Sequence, residues 1–571
     1  MSARGRTVAF LAAVAVALAV PSVASAHAYL IKTVPVASGV LAAPPPNVAL
    51  TYDEAVEPRF AIISVTNASG QQETTGSPTR SPANPDTLVV ALRAHLPEGW
   101  YLVYWRAISV DGHPVQGAFT YAVGPNPGPA PQFKVPSIAS SATSPNLLIT
   151  RWVMFLSVMV AIGLFAFRFA IARPLTRRVP GASLRPVSIA FVTASVVGVI
   201  AIPVYLDFAI ANDSLRSVFD ISALVPLFRV TAFGRGYADM TLCFGLFCVA
   251  GWVSLWLDHP EREGRSIAEI VAQTGAVAAA AATLIIPGTS GHAGQQSPRG
   301  FSLLFDWLHL VSGSLWLGGL VGLLVLWFAI RADSRVAALS TVVPRFSNVA
   351  LVSVLALIGS GIGQSLLEVP TLASLWQTSY GQALLWKIGL LTAALVLASV
   401  NLARTKPRLE AAQPGAAFEL RRFVSGEIVL VVGALFAAAV LTSLPPPSSA
   451  LASVKNIAAR VGPGPVSTVV TKGPYKVRVR VTPNRAAVQN DFSVTVTKNG
   501  KPVPGAQVIT QFDMLDMQMG QQSYKFDERA PGTFSKAAPA LVMVGHWALQ
   551  FQVTPPGAQP FIVTLLDKAG G

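Results

Sequence analysis

The order of apolar and polar positions divides the chain into three textures. From Tyr29 to Val123, short runs rich in β-branched and aromatic residues recur: Val48 to Tyr52, Phe60 to Thr66, Leu88 to Leu92, Trp100 to Ile108 and Ala118 to Val123. Pro, Gly and Asn clusters such as Pro44-Pro45-Pro46 and Asn84-Pro85 separate them. Runs of this length and spacing predict the strands of a β-sandwich or barrel, and helical periodicity is absent. Residues 124–146, rich in Pro, Gly, Ser and Ala, read as an extended tether. Apolar windows follow at about 150–172, 187–211, 237–257, 267–287, 303–330, 346–368, 382–403 and 423–443. About 20 apolar residues let an α-helix cross roughly 30 Å of hydrocarbon, so these windows predict eight transmembrane helices. Alternation returns in Tyr475 to Val481, Phe492 to Thr497 and Ala506 to Phe512, which predicts a second small β-sandwich.

The first residues have a different character. Arg4 and Arg6 precede an apolar run from Val8 to Val20, then Pro21 and Ala24-Ser25-Ala26. A charged start, a short apolar stretch and an A-x-A site read as a cleavable export signal, the alternative being a first membrane anchor. Cleavage after Ala26 leaves a mature chain that starts His27-Ala28-Tyr29-Leu30. The expected organisation is a signal peptide at 1–26, a β-domain at 27–125, a linker at 126–148, a transmembrane domain at 149–445 and a β-domain at 450–571.

The net charge of +15 and pI near 10.1 raise the question of nucleic acid. The Lys and Arg form no single basic stripe, so no nucleic-acid partner is expected. They gather instead in the connections at 173–186, 258–266, 331–345 and 404–422, including Arg173, Arg177, Arg178, Arg335, Arg404, Lys406, Arg408, Arg421 and Arg422. Arg216, Arg229 and Arg235 in the 212–236 connection are exceptions. That bias, with an even number of spans, places both chain ends outside the cytoplasm. The two cysteines, Cys243 and Cys248, share one apolar window, so neither β-domain holds a disulfide.

Candidate chemistry begins in the loop Asp111-Gly112-His113-Pro114-Val115-Gln116-Gly117, between two strand-like runs. Asp and His two apart in an extended segment point to one side. An Asp-x-His pair alone is commoner as an ordinary loop, and it is the histidine at the predicted cleavage site that changes its meaning. Together they offer two imidazoles, an α-amine and a carboxylate, a nitrogen-rich set suited to tetragonal Cu(II). Inside the apolar windows, polar groups are costly and point to function. His309 follows Asp306-Trp307-Leu308, while Ser290-Gly291-His292-Ala293 ends the preceding window. These histidines are candidates for a copper path, with a wetted loop residue and an interhelical hydrogen bond as the plainer roles. Lys387 and Glu427 lie on the last two predicted helices, as an ion pair or as part of a polar path. Toward the end of the chain, Met514, Met517, Met519, Met543 and His546 form a candidate Cu(I) site, because thioethers are soft donors, although methionine also fills core gaps.

The His27 start, the Leu50-Thr51-Tyr52-Asp53-Glu54 stretch, the Tyr101-Leu102-Val103-Tyr104-Trp105-Arg106 strand and the Asp111 loop resemble the CopC family of exported copper-binding β-barrels. The resemblance implies His27 (amine and imidazole), Asp111 and His113 as Cu(II) ligands and Glu54 as an acidic partner behind them. Residues 27–135 contain no methionine, so a Cu(II)-only domain is expected. Residues 150–445 resemble the CopD family of copper-transport membrane proteins, through Ser290 to Ala293, His309 with Leu315 to Leu320, Arg345-Phe346-Ser347, Thr378 to Gly381 with Trp386-Lys387, and Asn401 to Arg404. The C-terminal pattern, from the Met cluster through Gly532 to Gly545-His546-Trp547, resembles YtkA-like or FixH-like domains.

The reading that follows is a non-enzymatic multi-pass protein of the plasma (inner) membrane. It binds copper outside the cytoplasm and moves it across, with both soluble domains on the extracytoplasmic side. Its partners are copper ions, the lipid membrane and an extracytoplasmic copper chaperone or cuproprotein. Two other readings stay open: a sequestering or delivery factor that transports nothing, and a haem-containing membrane redox protein with His292 and His309 as ligands. No P-loop or aspartyl-phosphate motif is present.

Overall fold

The computed structural model describes residues 30–36, 39–52, 56–108, 114–127, 144–214, 232–294, 298–369, 371–444, 457–486, 488–515, 522–542 and 544–570. The first domain is built from β1 (Leu30–Val34), β2 (Val40–Leu41), β3 (Asn47–Tyr52), β4 (Ile62–Asn67), β5 (Thr74–Arg80), β6 (Thr87–Leu92), β7 (Gly99–Ile108) and β8 (Pro114–Val123). They form two four-stranded sheets, in the orders β1-β3-β6-β5 and β2-β8-β7-β4. The period-2 pattern does what a half-buried strand requires: Val48, Leu50 and Tyr52 of β3 are buried, and the residues between them are half-buried. Strand β7 is buried at every residue from Tyr101 to Ala107, which explains its near-continuous apolar run. The ring of Tyr101 stacks on that of Tyr121 with centroids 5.4 Å apart, and its hydroxyl donates to the Pro97 carbonyl at 2.5 Å.

Among the described residues, eight helices are long and apolar enough to cross a membrane. They are α1 (Pro145–Ala166), α2 (Arg185–Ser214), α3 (Ala232–Leu257), α4 (Ile267–Ser290), α5 (Arg299–Ala329), α6 (Arg335–Glu368), α7 (Ser379–Val400) and α8 (Ala416–Leu441). Each expected window lies along one of these helices, with Ala172, Ile330, Thr442 and Ser443 just past a helical end. The helices overrun the windows, however. Arg235 lies inside α3 rather than in a connection, and α7 continues through a π-turn, Asn401–Thr405, into Lys406–Glu410. Apolarity ends where the hydrocarbon ends, whereas backbone hydrogen bonding carries the helix on into water, with long basic side chains at its end. Residues 144–368 and 382–444 form one compact unit.

Within that unit, glycine sets the closest helix approach. A Cβ added to Gly163 of α1 would lie 2.0 Å from the Ser314 carbonyl oxygen, and one on Gly318 of α5 would lie 2.4 Å from the Gly163 Cα. Backbone touches backbone here, the arrangement small residues permit inside membranes. Next along α5, Gly319 and Gly322 receive the rings of Phe346 and Phe167. The basic connections are anchored as well: Arg168 and Arg173 hold Asp258 at 2.7 and 3.1 Å. Helix α4 starts with a reciprocal cap between Ser266 and Glu269.

The last domain contains β9 (Ile457–Val461), β10 (Val466–Lys472), β11 (Tyr475–Thr482), β12 (Asn490–Lys498), β13 (Lys501–Pro502), β14 (Gln507–Met514), β15 (Gln522–Lys525), β16 (Asp527–Ala530), β17 (Thr533–Ala538), β18 (Gly545–Thr554) and β19 (Phe561–Ala569). Two sheets result, β10-β11-β12-β17-β16 with β13 beside β12, and β15-β14-β18-β19-β9. Buried Val477, Val479, Val481, Phe492, Val494, Phe512, Leu549 and Phe551 belong to its core.

Gly318→Ala is expected to destabilise the bundle by the overpacking cost of about 1–3 kcal/mol, read as a lower unfolding midpoint in detergent. Gly245→Ala, where an added Cβ meets nothing within 4 Å, serves as the comparison and is expected to leave the midpoint unchanged or raise it.

Candidate metal centre

Four predicted groups, His27, Glu54, Asp111 and His113, lie outside the described residues, whereas the strands before and after them in the chain do not. Strand β1 begins at Leu30, paired with Tyr52 at the end of β3. Across the two sheets, the Tyr52 ring meets the Trp105 indole edge-on, with centroids 5.7 Å apart. Trp105 pairs with Gly117, and the hairpin's last pair is Ile108 with Pro114. The start of β1, the end of β3 and the last pair of the β7–β8 hairpin therefore lie toward one end of the sandwich. Gly117 is required for this: a Cβ on it would come within 2.8 Å of the Trp105 ring. The Tyr52 hydroxyl is buried and lacks a hydrogen-bond partner among the described residues, and burial pushes the phenol well above its ordinary value.

Inside the bundle, the Nδ1 of His309 on α5 lies 3.3 Å from the Ser360 hydroxyl on α6. His292 opens a short turn after α4, His292–Gly294, and its side chain lies outside the described residues. Lys387 and Glu427 have different neighbours. The carboxylate of Glu427 accepts from the Asn401 amide, whereas the acidic groups facing Lys387 are Asp306 and Glu368. The expected ion pair is thereby corrected, and helix geometry supplies the reason. Lys387 precedes Asn401 by fourteen positions, about 21 Å along a helix axis at 1.5 Å per residue.

Asp306 and Glu368 escaped the sequence reading as site residues. Asp306 served only as context for His309, yet the two stand one turn apart on α5, and that i, i+3 spacing was the available signal. Glu368 closed an apolar window and looked like its polar boundary. In the structure it accepts from Gln364 at 2.6 Å, and Gln364 in turn bonds Ser302 at 3.2 Å. Among the described residues, no group of three or more His, Cys, Asp or Glu is arranged to hold a metal ion.

In the C-terminal domain, Met514 pairs with Trp547 and both are buried in the core. Its thioether packs in that core. Met517, Met519 and Met543 lie outside the described residues, and His546 is half-buried at the start of β18. The buried carboxylate of Asp567 accepts from Asn484 at 2.9 Å.

Residues 30–124 match the CopC domain, 340–441 match Copper resistance protein D, and 470–552 match the YtkA-like domain. Protein YobA of Escherichia coli (strain K12) is 34% identical over 113 residues, covering 90% of that protein and 20% of this chain. This chain belongs to the CopC family. Its CopC domain is fused to a CopD membrane domain and a YtkA-like domain, in that order. Copper resistance protein C of Escherichia coli is 34% identical over 106 residues, 83% of its length and 18% of this chain. Copper transport protein CutJ of Bacillus subtilis (strain 168) is 26% identical over 541 residues, 93% of either chain, so its likeness runs through all three parts of the CopC–CopD fusion.

Burial is the largest influence on Asp567 and raises its carboxyl from the usual 3.8 to about 6, against the Asn484 hydrogen bond, the Lys568 backbone bond and the His546 charge. A raised folded value means that the folded domain prefers the protonated acid. This group's stabilising contribution is therefore full below pH 3.8 and is lost as pH rises through about 6, by at most about 3 kcal/mol. Asp567→Asn should flatten that part of the stability–pH curve and raise stability at pH 7.5, as measured by denaturant unfolding followed through Trp547 fluorescence.

Proposed function

We propose that this CopC–CopD fusion captures Cu(II) outside the cytoplasm on its N-terminal domain and carries copper across the plasma membrane through its eight-helix domain. The observation that carries the reading is the likeness to a copper transport protein over 93% of both chains. A likeness confined to the β-domain would support capture alone. Removal of residues 1–26 frees the His27 amine, which with its own imidazole, Asp111 and His113 supplies three nitrogens and a carboxylate, a set suited to Cu(II). Strand geometry supports their meeting: His27 is three residues from Leu30, a reach of at most about 10 Å, and Leu30 pairs with Tyr52, which touches the strand leading to Asp111. Glu54, two residues beyond Tyr52, orients this set from behind.

The Arg- and Lys-rich connections after α1, α3, α5 and α7 face the cytoplasm in this reading, and both β-domains stand outside. His292 and His309 lie along the copper path. Met517, Met519, Met543 and His546 offer soft donors for Cu(I) in the YtkA-like domain, where an extracytoplasmic copper chaperone or cuproprotein exchanges its metal.

Two measurements test the reading. The CopC domain beginning at His27 is expected to give the paramagnetic resonance spectrum of tetragonal, nitrogen-rich Cu(II). One extra glycine before His27, which moves the amine away from the imidazole, should weaken Cu(II) binding roughly 100-fold, about 3 kcal/mol. Deletion of the whole protein should lower cytoplasmic copper; unchanged cytoplasmic copper would leave a sequestering role in its place.

A further inference from the structure

A cavity lies beside the end of the first span. After α1 the chain makes a π-turn, Phe167–Ile171, and a short helical turn, Leu175–Arg178, while the connection from α3 runs from Asp258 to Ser266 before α4 begins at Ile267. Between these two segments is an open cavity of about 440 Å³. Phe169, Ala170 and Pro174 give it an apolar lining, and Arg173, Arg177, Arg265 and Glu263 a polar one. Such a division suits the level at which hydrocarbon gives way to water, and the cavity lies at the end of the bundle that bears the basic connections.

The arginines are held in place from behind. Asp258, whose side chain is fully buried, takes Arg168 at 2.7 Å and the Nε of Arg173 at 3.1 Å, and the Nη2 of Arg173 donates to the His259 carbonyl at 3.3 Å. The π-turn sets Arg265. In that register the carbonyl of Phe169 faces position 174, a proline with no N–H to give, and the Nη2 of Arg265 donates to it instead at 2.6 Å. Arg177 has a looser contact with Glu263, at 3.6 Å, and the Glu263 side chain is 95% exposed. Water competes for that pair, which contributes little. Glu269 accepts from the backbone N–H groups of His259 and Ser266. The guanidiniums of Arg168, Arg173, Arg177 and Arg265 thus meet the carboxylates of Asp258, Glu263 and Glu269, and one positive charge is left over.

A guanidinium is planar and always charged, and its forked N–H donors match the oxygens of a phosphate. Arginines beside apolar surface suit a ligand with an anionic phosphate and an apolar body, whereas free phosphate would leave Phe169, Ala170 and Pro174 uncovered. A phosphodiester carries one negative charge and balances the surplus. A headgroup with its own ammonium would bring a like charge against the arginines.

We propose that this cavity binds the headgroup of an anionic phospholipid, with the phosphodiester on Arg173, Arg177 and Arg265 and the apolar part of the lipid against Phe169, Ala170 and Pro174. The phosphate displaces Glu263 from Arg177. Basic pockets between membrane helices attract such lipids by the same charge logic. A lipid seated here ties the end of α1 to the α3–α4 connection, and it does so whether or not the bundle moves copper.

The test uses the full-length protein in detergent and native mass spectrometry, with phosphatidylglycerol, phosphatidylethanolamine of the same acyl chains and inorganic phosphate as probes. Phosphatidylglycerol is expected to bind more tightly than phosphatidylethanolamine by roughly tenfold in Kd, the size of one charged hydrogen bond. Arg177→Glu should abolish that preference. Glu263→Gln, which removes the competing carboxylate, should strengthen it about threefold, the size of a surface ion pair. Arg331→Glu makes the same charge change on a side chain 87% exposed and outside the cavity, and should leave the preference unchanged. Should Arg177→Glu fail to purify as a folded protein, Glu263→Gln decides, and an unchanged or weaker preference in it overturns the site. Equal binding of the two lipids by the wild type, a preference that survives Arg177→Glu, or an equal loss in Arg331→Glu also overturns it. Displacement of phosphatidylglycerol by inorganic phosphate overturns the assignment to a lipid.

Discussion

The contact of Gly163 with Gly318 brings α1 and α5 to backbone distance, and α5 also carries Asp306 and His309. Hydrocarbon gives helices no reason to associate, because lipid tails are as apolar as leucine, so close packing must supply it. Gly318, Gly319 and Gly322 form a smooth strip on α5 into which α1, Phe346 and Phe167 settle. With that half of α5 fixed, its other half carries Asp306 to the end of α4 and His309 to Ser360 of α6. The price of a charge in the membrane is met by neighbours on those helices. The two halves of one helix thus differ in character: one is smooth and joins a neighbour, and the other carries the polar groups Asp306 and His309.

The β-domains obey a different constraint. Water is available to them, so their strands need only one buried side, and β3 alternates accordingly. Strand β7 departs from that rule because it is covered throughout. A rigid central strand ending in the Asp111 loop suits a metal site, since ligands held by a stiff frame lose little freedom when the ion arrives. Tyr52 and Trp105 meet between the two sheets, and Gly117 leaves the space for the indole.

Much of this architecture is legible in the sequence because it follows from periodicity. Twenty apolar residues read as a span wherever they sit, and the alternation of Val48, Leu50 and Tyr52 marks a strand. Met514 was legible as well: it shares parity with buried Val508, Thr510 and Phe512, so strand alternation alone points it inward. What periodicity omits is the rotation and offset of one helix against the next. Lys387 and Glu427 looked like partners because both are charged and lie on successive spans, yet partnership inside a membrane depends on depth as well as face. Asp306 and Glu368 went unnoticed for a related reason. Each lies close to a helix end, where a charge looks like the edge of a span rather than part of its interior.

Arg151, in the second turn of α1, donates to the Tyr205 hydroxyl of α2 at 3.2 Å and to Ala439, Thr442 and Ser443 at the end of α8. A single guanidinium thus clasps the first and last spans. The first and last of the eight helices are therefore neighbours, joined without any chain connection between them. Opening the chain at another connection and joining the old ends should yield a permuted bundle with the same neighbours, held shut by the same cation.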